Sequence, residues 1–372
     1  MYIRKKAGLS LVFIFILSLF LVAGCDGVIS EQDVVGESLP KENFDLDSID
    51  GKLAVHFIDV GQADSILVQL PNGENSLIDG GNRGDGDLII DYIKNLNIRK
   101  IDYLIGTHPH EDHIGGLPNI VKNFEIGKIY LPKKSANTKI YKSLLTEIKK
   151  KGLKVTTGKG GIDILKRENL VYSILAPNSK EYDETNEYSI VNKLTYKNNS
   201  FIFTGDAEKE SENEMLKLGY DLKSDVLKVG HHGGKTSTNK EFLKKVDPKY
   251  AIISSEKDNS YGHPHKEVLN RLNNRNIKLY RTDKMGTIVV TSDGNNLEFN
   301  KAPETNKETK KADSINIKGN TKETKKYIGN KNSKVYHSPS CGSLPNKENQ
   351  ILLKSEQEAK EQGFRPHKIC VE

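Results

Sequence analysis

An α/β layered fold is predicted for residues 51–300, followed by a separate small unit, and three observations carry that prediction. Short β-branched and apolar runs alternate with helical spacings as far as about residue 300. A stretch rich in Lys, Glu, Thr and Asn and free of aromatic residues, 301–326, then breaks the pattern and reads as a disordered linker. The remaining residues, 327–372, are too few for a good core but carry two His/Cys pairs that a metal ion could staple.

Taken in order, residues 26–50 are polar and acidic and read as a spacer. Leu53 to Val60, Ser65 to Leu70 and Ser76 to Asp79 are β-rich runs separated by Gly, Asn and Pro, as antiparallel strands require. Asp87 to Leu96 has helical spacing, with Leu88, Ile89, Tyr92, Ile93 and Leu96 on one side, and Ile101 to Gly106 reads as a buried strand. A helix is expected near Tyr141–Lys150, then strands near Leu170–Leu175, Ile190–Tyr196 and Phe201–Phe203. A helix over Glu208–Leu218 and strands at Val226–Val229, Tyr250–Ser254 and Thr287–Thr291 complete the domain.

The first residues predict export. Arg4, Lys5 and Lys6 precede an apolar run from Leu9 to Val22, and Val22-Ala23-Gly24 sets small residues directly before Cys25. A plain membrane anchor is the alternative, since Ala7 to Gly24 nears the lower limit for a span. Cleavage of 1–24 and lipidation of Cys25, as in bacterial lipoproteins, account better for the cysteine. The mature chain is then expected on the extracytoplasmic face of the membrane, held by its acyl chains. Net charge is +6, but Arg4–Lys6 and the stretches after residue 300 supply it; the central region is slightly acidic. A protein that grips many phosphates with lysine and arginine is not indicated. With Cys25, Cys341 and Cys370 the only cysteines, no disulfide framework can span the main domain.

Seven of the ten histidines fall in three clusters within 51–300, His56 stands alone in an apolar run and reads as structural, and His337 and His367 lie in the C-terminal unit. Thr107-His108-Pro109-His110-Glu111-Asp112-His113, followed by Ile114-Gly115-Gly116, comes directly after a predicted strand. Imidazole and carboxylate groups gathered on such a turn suit zinc and similar divalent ions. Gly230-His231-His232-Gly233-Gly234-Lys235 and Tyr261-Gly262-His263-Pro264-His265 close two further strands.

The first cluster resembles the His-x-His-x-Asp-His motif of the metallo-β-lactamase superfamily, and the likeness runs from about Leu53 to Phe299. It implies a four-layer αβ/βα sandwich. Leu77-Ile78-Asp79-Gly80-Gly81 resembles the motif whose aspartate buttresses the site, and Phe203-Thr204-Gly205-Asp206 the strand that delivers a carboxylate bridging two metals. Together with Asp59-Val60-Gly61-Gln62-Ala63-Asp64, these stretches resemble the ComEC-like branch, extracytoplasmic hydrolase domains of DNA uptake. The channel region of those proteins has no counterpart here. A further histidine common in the superfamily between the first cluster and the bridging aspartate is missing, and Asn186-x-x-Ser189 matches the branch's pattern instead.

The resemblance implies two divalent metals, Zn or Mn, and no organic cofactor. His108, His110 and Asp206 would hold the first, with water, substrate or His231 in the fourth place. Asp112, His113, Asp206 and His263 would hold the second. Asp79, Asn186, Ser189 and His232 would support the site, and His265 would stand behind it. A water activated between the ions would attack an electrophilic phosphorus, with Asp112 orienting it and Lys235 holding a phosphate, unless Lys235 is simply a solvated surface residue. The expected reaction is phosphodiester hydrolysis with extracellular DNA as substrate. Two alternatives stand beside it: a cell-surface phosphodiesterase for teichoic acid or phospholipid headgroups, and a membrane-tethered DNA-binding module whose metal site is inert.

In the C-terminal unit, His337-x3-Cys341 and His367-x2-Cys370 have the spacing of a closed structural zinc site. A Cys341–Cys370 disulfide is the alternative. The surrounding residues resemble the zinc-binding domain of the Ada repair protein, with His337 and His367 where that domain carries cysteines. Loss of two thiolates argues against alkyl transfer.

Overall fold

The computed structural model describes residues 51–304 and 327–371, except 339, 340, 342, 343, 346, 354, 368 and 369. The expected signal segment, Cys25, the whole of the spacer and most of the expected linker lie outside the described residues. Among the described residues no helix is long and apolar enough to cross a membrane.

Strands β1 (Leu53–Phe57), β2 (Ile66–Gln69) and β3 (Asn75–Ile78) pair antiparallel in sequence. Helix α1 (Gly86–Asn95) leads to β4 (Lys100–Ile105), the short helices α2 (Glu111–Ile114) and α3 (Leu117–Asn123) to β5 (Glu125–Leu131), and α4 (Lys139–Lys150) to β6 (Val155–Thr157). Each of these crossovers adds a parallel strand. A second sheet opens with an antiparallel meander of β7 (Ile162–Arg167), β8 (Leu170–Ala176), β9 (Val191–Tyr196) and β10 (Asn199–Phe203). It continues through α5 (Lys209–Lys217), β11 (Val226–Lys228), α6 (Lys240–Val246), β12 (Tyr250–Ile253), α7 (Lys266–Asn273) and β13 (Lys278–Arg281), again parallel. Helix α8 (Thr282–Met285) then returns the chain to the first sheet, where β14 (Ile288–Ser292) pairs antiparallel with β1 and β15 (Leu297–Phe299) forms the edge.

The buried side chains explain why there are four layers. Leu53, Val55 and Phe57 of β1 meet Phe201 and Phe203 of β10 and Val226 and Ile252 of the second sheet in one apolar layer between the sheets. The opposite face of the first sheet packs Leu77 and Leu104 against Ile89, Ile93, Ile120 and Leu144 of α1, α3 and α4. The outer face of the second sheet packs Ile202, Leu227 and Ile253 against Met215, Phe242, Val268 and Leu272 of α5, α6 and α7. Both sheets bury both faces, which is why β1 and β11 are apolar almost throughout rather than alternating. His56 is the exception on β1: it faces the helical layer, where Tyr92 and Gln69 satisfy both ring nitrogens.

A separate sheet of order β18-β16-β17-β19 forms the C-terminal unit from β16 (Tyr327–Asn330), β17 (Val335–His337), β18 (Gln350–Leu353) and β19 (Arg365–Pro366). Its core is small: Tyr327, Tyr336, Leu353, Ala359, Phe364 and Val371.

Candidate metal centre

The parallel strands decide where the site is. Asp79 follows β3, Thr107–His113 follow β4, Asp206 follows β10, His231 and His232 follow β11, and Ser254 and the loop to His263 follow β12. Loops at the carboxyl ends of parallel strands meet in one crevice, as in other α/β sheets. Here they border a cleft of ≈ 1040 Å³ lined by His110, Asp112, Asn186, Asp206, His231, His232 and His263, among others.

Two motif loops are locked together first. The Gly80 N–H donates to the His113 carbonyl at 2.7 Å, and Gly116 N–H to the Gly80 carbonyl at 3.1 Å. A Cβ on Gly116 would fall 2.3 Å from the Gly80 oxygen, so the Gly-Gly after the histidine cluster is a requirement of close backbone approach. Asp79, at φ 59°, then turns its buried carboxylate back into the site. It accepts from the Thr107 N–H at 2.7 Å and the Thr107 hydroxyl at 2.8 Å, and receives His113 Nδ1 at 2.8 Å. A carboxylate behind a histidine fixes the tautomer and aims Nε2 forward.

What His113 Nε2 aims at is Asp206. Asp206 Oδ1 lies 3.3 Å from His113 Nε2 and 3.7 Å from His232 Nε2, while Asp206 Oδ2 lies 3.7 Å from His231 Nε2 and 3.9 Å from His108 Nε2. The two oxygens of one buried carboxylate thus face two different histidine groups. Asp112 Oδ2 joins the first group, 3.3 Å from His232 Nε2 and 3.7 Å from His113 Nε2. His110 joins the second, its Nδ1 2.9 Å from His108 Nε2. Burial pushes the Asp206 carboxyl up, but His113, His232 and His231 around it outweigh that and hold it well below the usual carboxylate range. Burial disfavours a proton on His113, yet Asp206, Asp112 and Asp79 hold its pKa well above the ordinary value. The spot favours a positive charge.

A divalent cation fits that spot. Ligating atoms of Asp112, His113, Asp206 and His232 all lie within 4.8 Å of one another. Three of them, His113 Nε2, Asp206 Oδ1 and His232 Nε2, are buried without a hydrogen-bond partner, a costly arrangement for bare protein. Nitrogen and carboxylate donors at this spacing match zinc and manganese chemistry.

The supporting residues fall behind these ligating atoms. Ser189 Oγ accepts the Asp206 N–H at 3.2 Å and lies 3.3 Å from His108 Nδ1, while the Asn186 amide donates to Glu208 at 3.1 Å. Glu208 in turn holds His231 Nδ1 at 2.9 Å.

His263 lines the same cleft and receives the Gln62 amide on Nδ1 at 3.2 Å. His232, expected only to support the site, contributes a ligating atom beside Asp112, His113 and Asp206. The reason is backbone: His231 and His232 both adopt left-handed φ values, 50° and 52°, which point adjacent rings at opposite oxygens of Asp206. Lys235 does not line the cleft; its side chain is exposed, and its N–H donates to His265 Nδ1 at 3.2 Å.

Sequence reasoning also left Asp64 and Lys228 without roles. They form a buried ion pair at 2.8 Å, with Asp64 Oδ1 3.6 Å from His232 Nδ1. A lysine in an otherwise apolar strand was the available signal.

In the C-terminal unit, Cys341 Sγ lies 3.4 Å from His337 Nδ1 and 3.5 Å from His367 Nδ1, and Cys370 Sγ lies 3.2 Å from His367 Nδ1. Both thiols are free. Separations of this size are the edges of a tetrahedron around zinc, so the geometry disfavours the disulfide.

Residues 58–255 match the metallo-beta-lactamase superfamily. The chain belongs to that superfamily. This metallo-beta-lactamase domain is followed by residues 315–372, which match the metal binding domain of Ada. Among relatives, ComE operon protein 3 of Bacillus subtilis is 34% identical over 252 residues, covering 63% of this chain and 32% of that protein. Recombination protein 2 of Haemophilus influenzae is 31% identical over 67% of this chain and 30% of its own length, and competence protein ComA of Neisseria gonorrhoeae 30% identical over 64% and 32%. The chain spans about a third of the length of these relatives. Among solved structures, CmlA of Streptomyces venezuelae is similar at TM-score 0.42 and 13% identity, over 62% of this chain and 52% of CmlA. YhfI of Bacillus subtilis is similar at TM-score 0.39 and 11% identity, over 61% of this chain and 95% of YhfI.

Proposed function

We propose that this metallo-beta-lactamase fold hydrolase is a metal-dependent phosphodiesterase acting on extracellular DNA, tethered outside the membrane through Cys25. The observation that carries the enzymatic part is the Asp206 carboxylate, whose oxygens face separate histidine groups on the floor of an open cleft. Divalent ions bound there would supply Lewis acidity and a water with a pKa lowered to about 7.

The chain's own groups do the rest. Asp206 keeps the two histidine groups at a fixed separation. Asp112, partly open to the cleft, can orient the attacking water through the oxygen not turned to His113 and His232. Asp79, Ser189 and Glu208 hold the rings of His113, His108 and His231, so that no reorganisation is needed on substrate binding. Two relatives named for competence and recombination support nucleic acid as the substrate class.

The test is cleavage of single-stranded DNA by purified protein supplied with Mn²⁺ or Zn²⁺, beside a phosphodiester lacking bases. Cleavage of DNA that is lost in Asp206→Ala is expected. Turnover of the base-free diester alone would favour a teichoic acid or phospholipid headgroup substrate, and turnover of neither would favour a binding module.

A further inference from the structure

The cleft is poorly made for holding a polyanion by charge. Besides Asp112 and Asp206, its lining carries Asp59, Asp85, Glu111, Glu256 and Asp283, and Lys257 is its one lysine or arginine among the described residues. Phosphates away from the bound cations meet carboxylates, so the counterion-release affinity of ordinary DNA binders is not available here.

Another source of binding energy projects into the same space. Tyr261 is 67% exposed, the most exposed large apolar side chain among the described residues, and it lines the cleft. Its ring is nearly parallel to that of His263, 24° between planes with centroids 5.7 Å apart. The loop behind the ring is tied down by hydrogen bonds. Gln62 donates to His263 Nδ1 at 3.2 Å. The Asn259 side chain accepts from the N–H groups of Tyr261 and His263 at 3.1 and 3.0 Å and donates to the carbonyls of Glu256 and His263. These bonds fix the backbone that carries Tyr261 and the His263 ring behind it, so less freedom is lost when something flat settles on the exposed Tyr261 ring.

We propose that Tyr261 is a stacking platform for an unpaired nucleobase next to the scissile phosphate, so that the cleft takes single-stranded rather than duplex nucleic acid. This deepens the phosphodiesterase reading and rests on it. Stacking on an aromatic face is tolerant of sequence and independent of phosphate charge. A base in a duplex hides both faces against its neighbours and cannot reach the ring without being flipped out.

The experiment measures binding and cleavage separately, on the full chain with Mn²⁺. The probes are a fluorescent oligothymidylate, an abasic strand of the same length and a duplex. Wild-type protein is expected to bind oligothymidylate about tenfold more tightly than the abasic strand. Tyr261→Ala is expected to abolish that preference and leave abasic binding unchanged, and Tyr261→Phe to restore it. Equal binding of base-bearing and abasic strands, or equal Tyr261 dependence with duplex, would overturn the platform whatever the cleavage result. Base-selective, Tyr261-dependent binding without cleavage of any strand would instead retain the platform and defeat the nuclease reading.

Discussion

Asp206 Oδ1 and His113 Nε2 approach each other to 3.3 Å, both buried and neither engaged in a hydrogen bond. Buried polar atoms are seldom left in that condition unless a third group joins them. The pair draws in His232 and Asp112, and the other Asp206 oxygen repeats the pattern with His108 and His231.

The position of His232 beside Asp112 and His113 gives the first prediction. His232→Ala removes a ligating atom and is expected to lower metal bound per chain and activity together, by about a hundredfold or more in activity. His263→Ala is expected to leave metal content unchanged. Metal analysis of the two variants after dialysis checks this, and loss of metal in His263→Ala alone would reverse the assignment.

Asp79→Asn tests the buttress. Asparagine tolerates the left-handed backbone at φ 59°, so the fold is expected to survive, but the amide no longer supplies two negative oxygens to Thr107 and His113. Metal affinity is expected to drop about 10- to 100-fold, measured by chelator competition. Unchanged affinity would remove Asp79 from the site.

His56 sets a pH limit on stability. Burial lowers its pKa to about 4, opposed by the Gln69 hydrogen bond. The unfolded chain therefore binds the extra proton between pH 6.5 and about 4, and stability declines as pH falls through that window. The loss should reach on the order of 3 kcal/mol near pH 4. Urea unfolding of metal-free protein at several pH values, compared with His56→Gln, reads this contribution; identical slopes for the two proteins would refute it.

Zinc, rather than a disulfide, is expected to hold the C-terminal unit. Cys341→Ser should remove one metal per chain and expose 327–372 to protease, and a chelator should do the same to wild-type protein. Reductant alone should do nothing. Reductant-induced cleavage with no change in metal content would point to a Cys341–Cys370 bond.

Much of this centre was legible because its residues sit at strand ends with recognisable chemistry. The His108–His113 loop and the His337/Cys341/His367/Cys370 set needed only spacing, whereas Asp79 and Asp206 were picked out by the resemblance to the superfamily's motifs. His232 and His263 could not be sorted that way. The sorting depends on two consecutive left-handed residues, a backbone state that neither composition nor periodicity reports. The Asp64–Lys228 pair was hidden by 164 residues of separation. In the fold, β5 was missed because Gly127 interrupts its run; the glycine is there because a Cβ would fall 2.4 Å from the Asp102 oxygen of β4. The edge strand β6 was missed because its three residues are exposed and carry no burial pattern.

The most direct measurement is anomalous diffraction from crystals of the metal-loaded protein. It should place one peak among Asp112, His113, His232 and Asp206 Oδ1, and a second beside His108, His110, His231 and Asp206 Oδ2. Metal confined to the C-terminal cysteines, with no peak within coordinating reach of Asp206, would contradict the account.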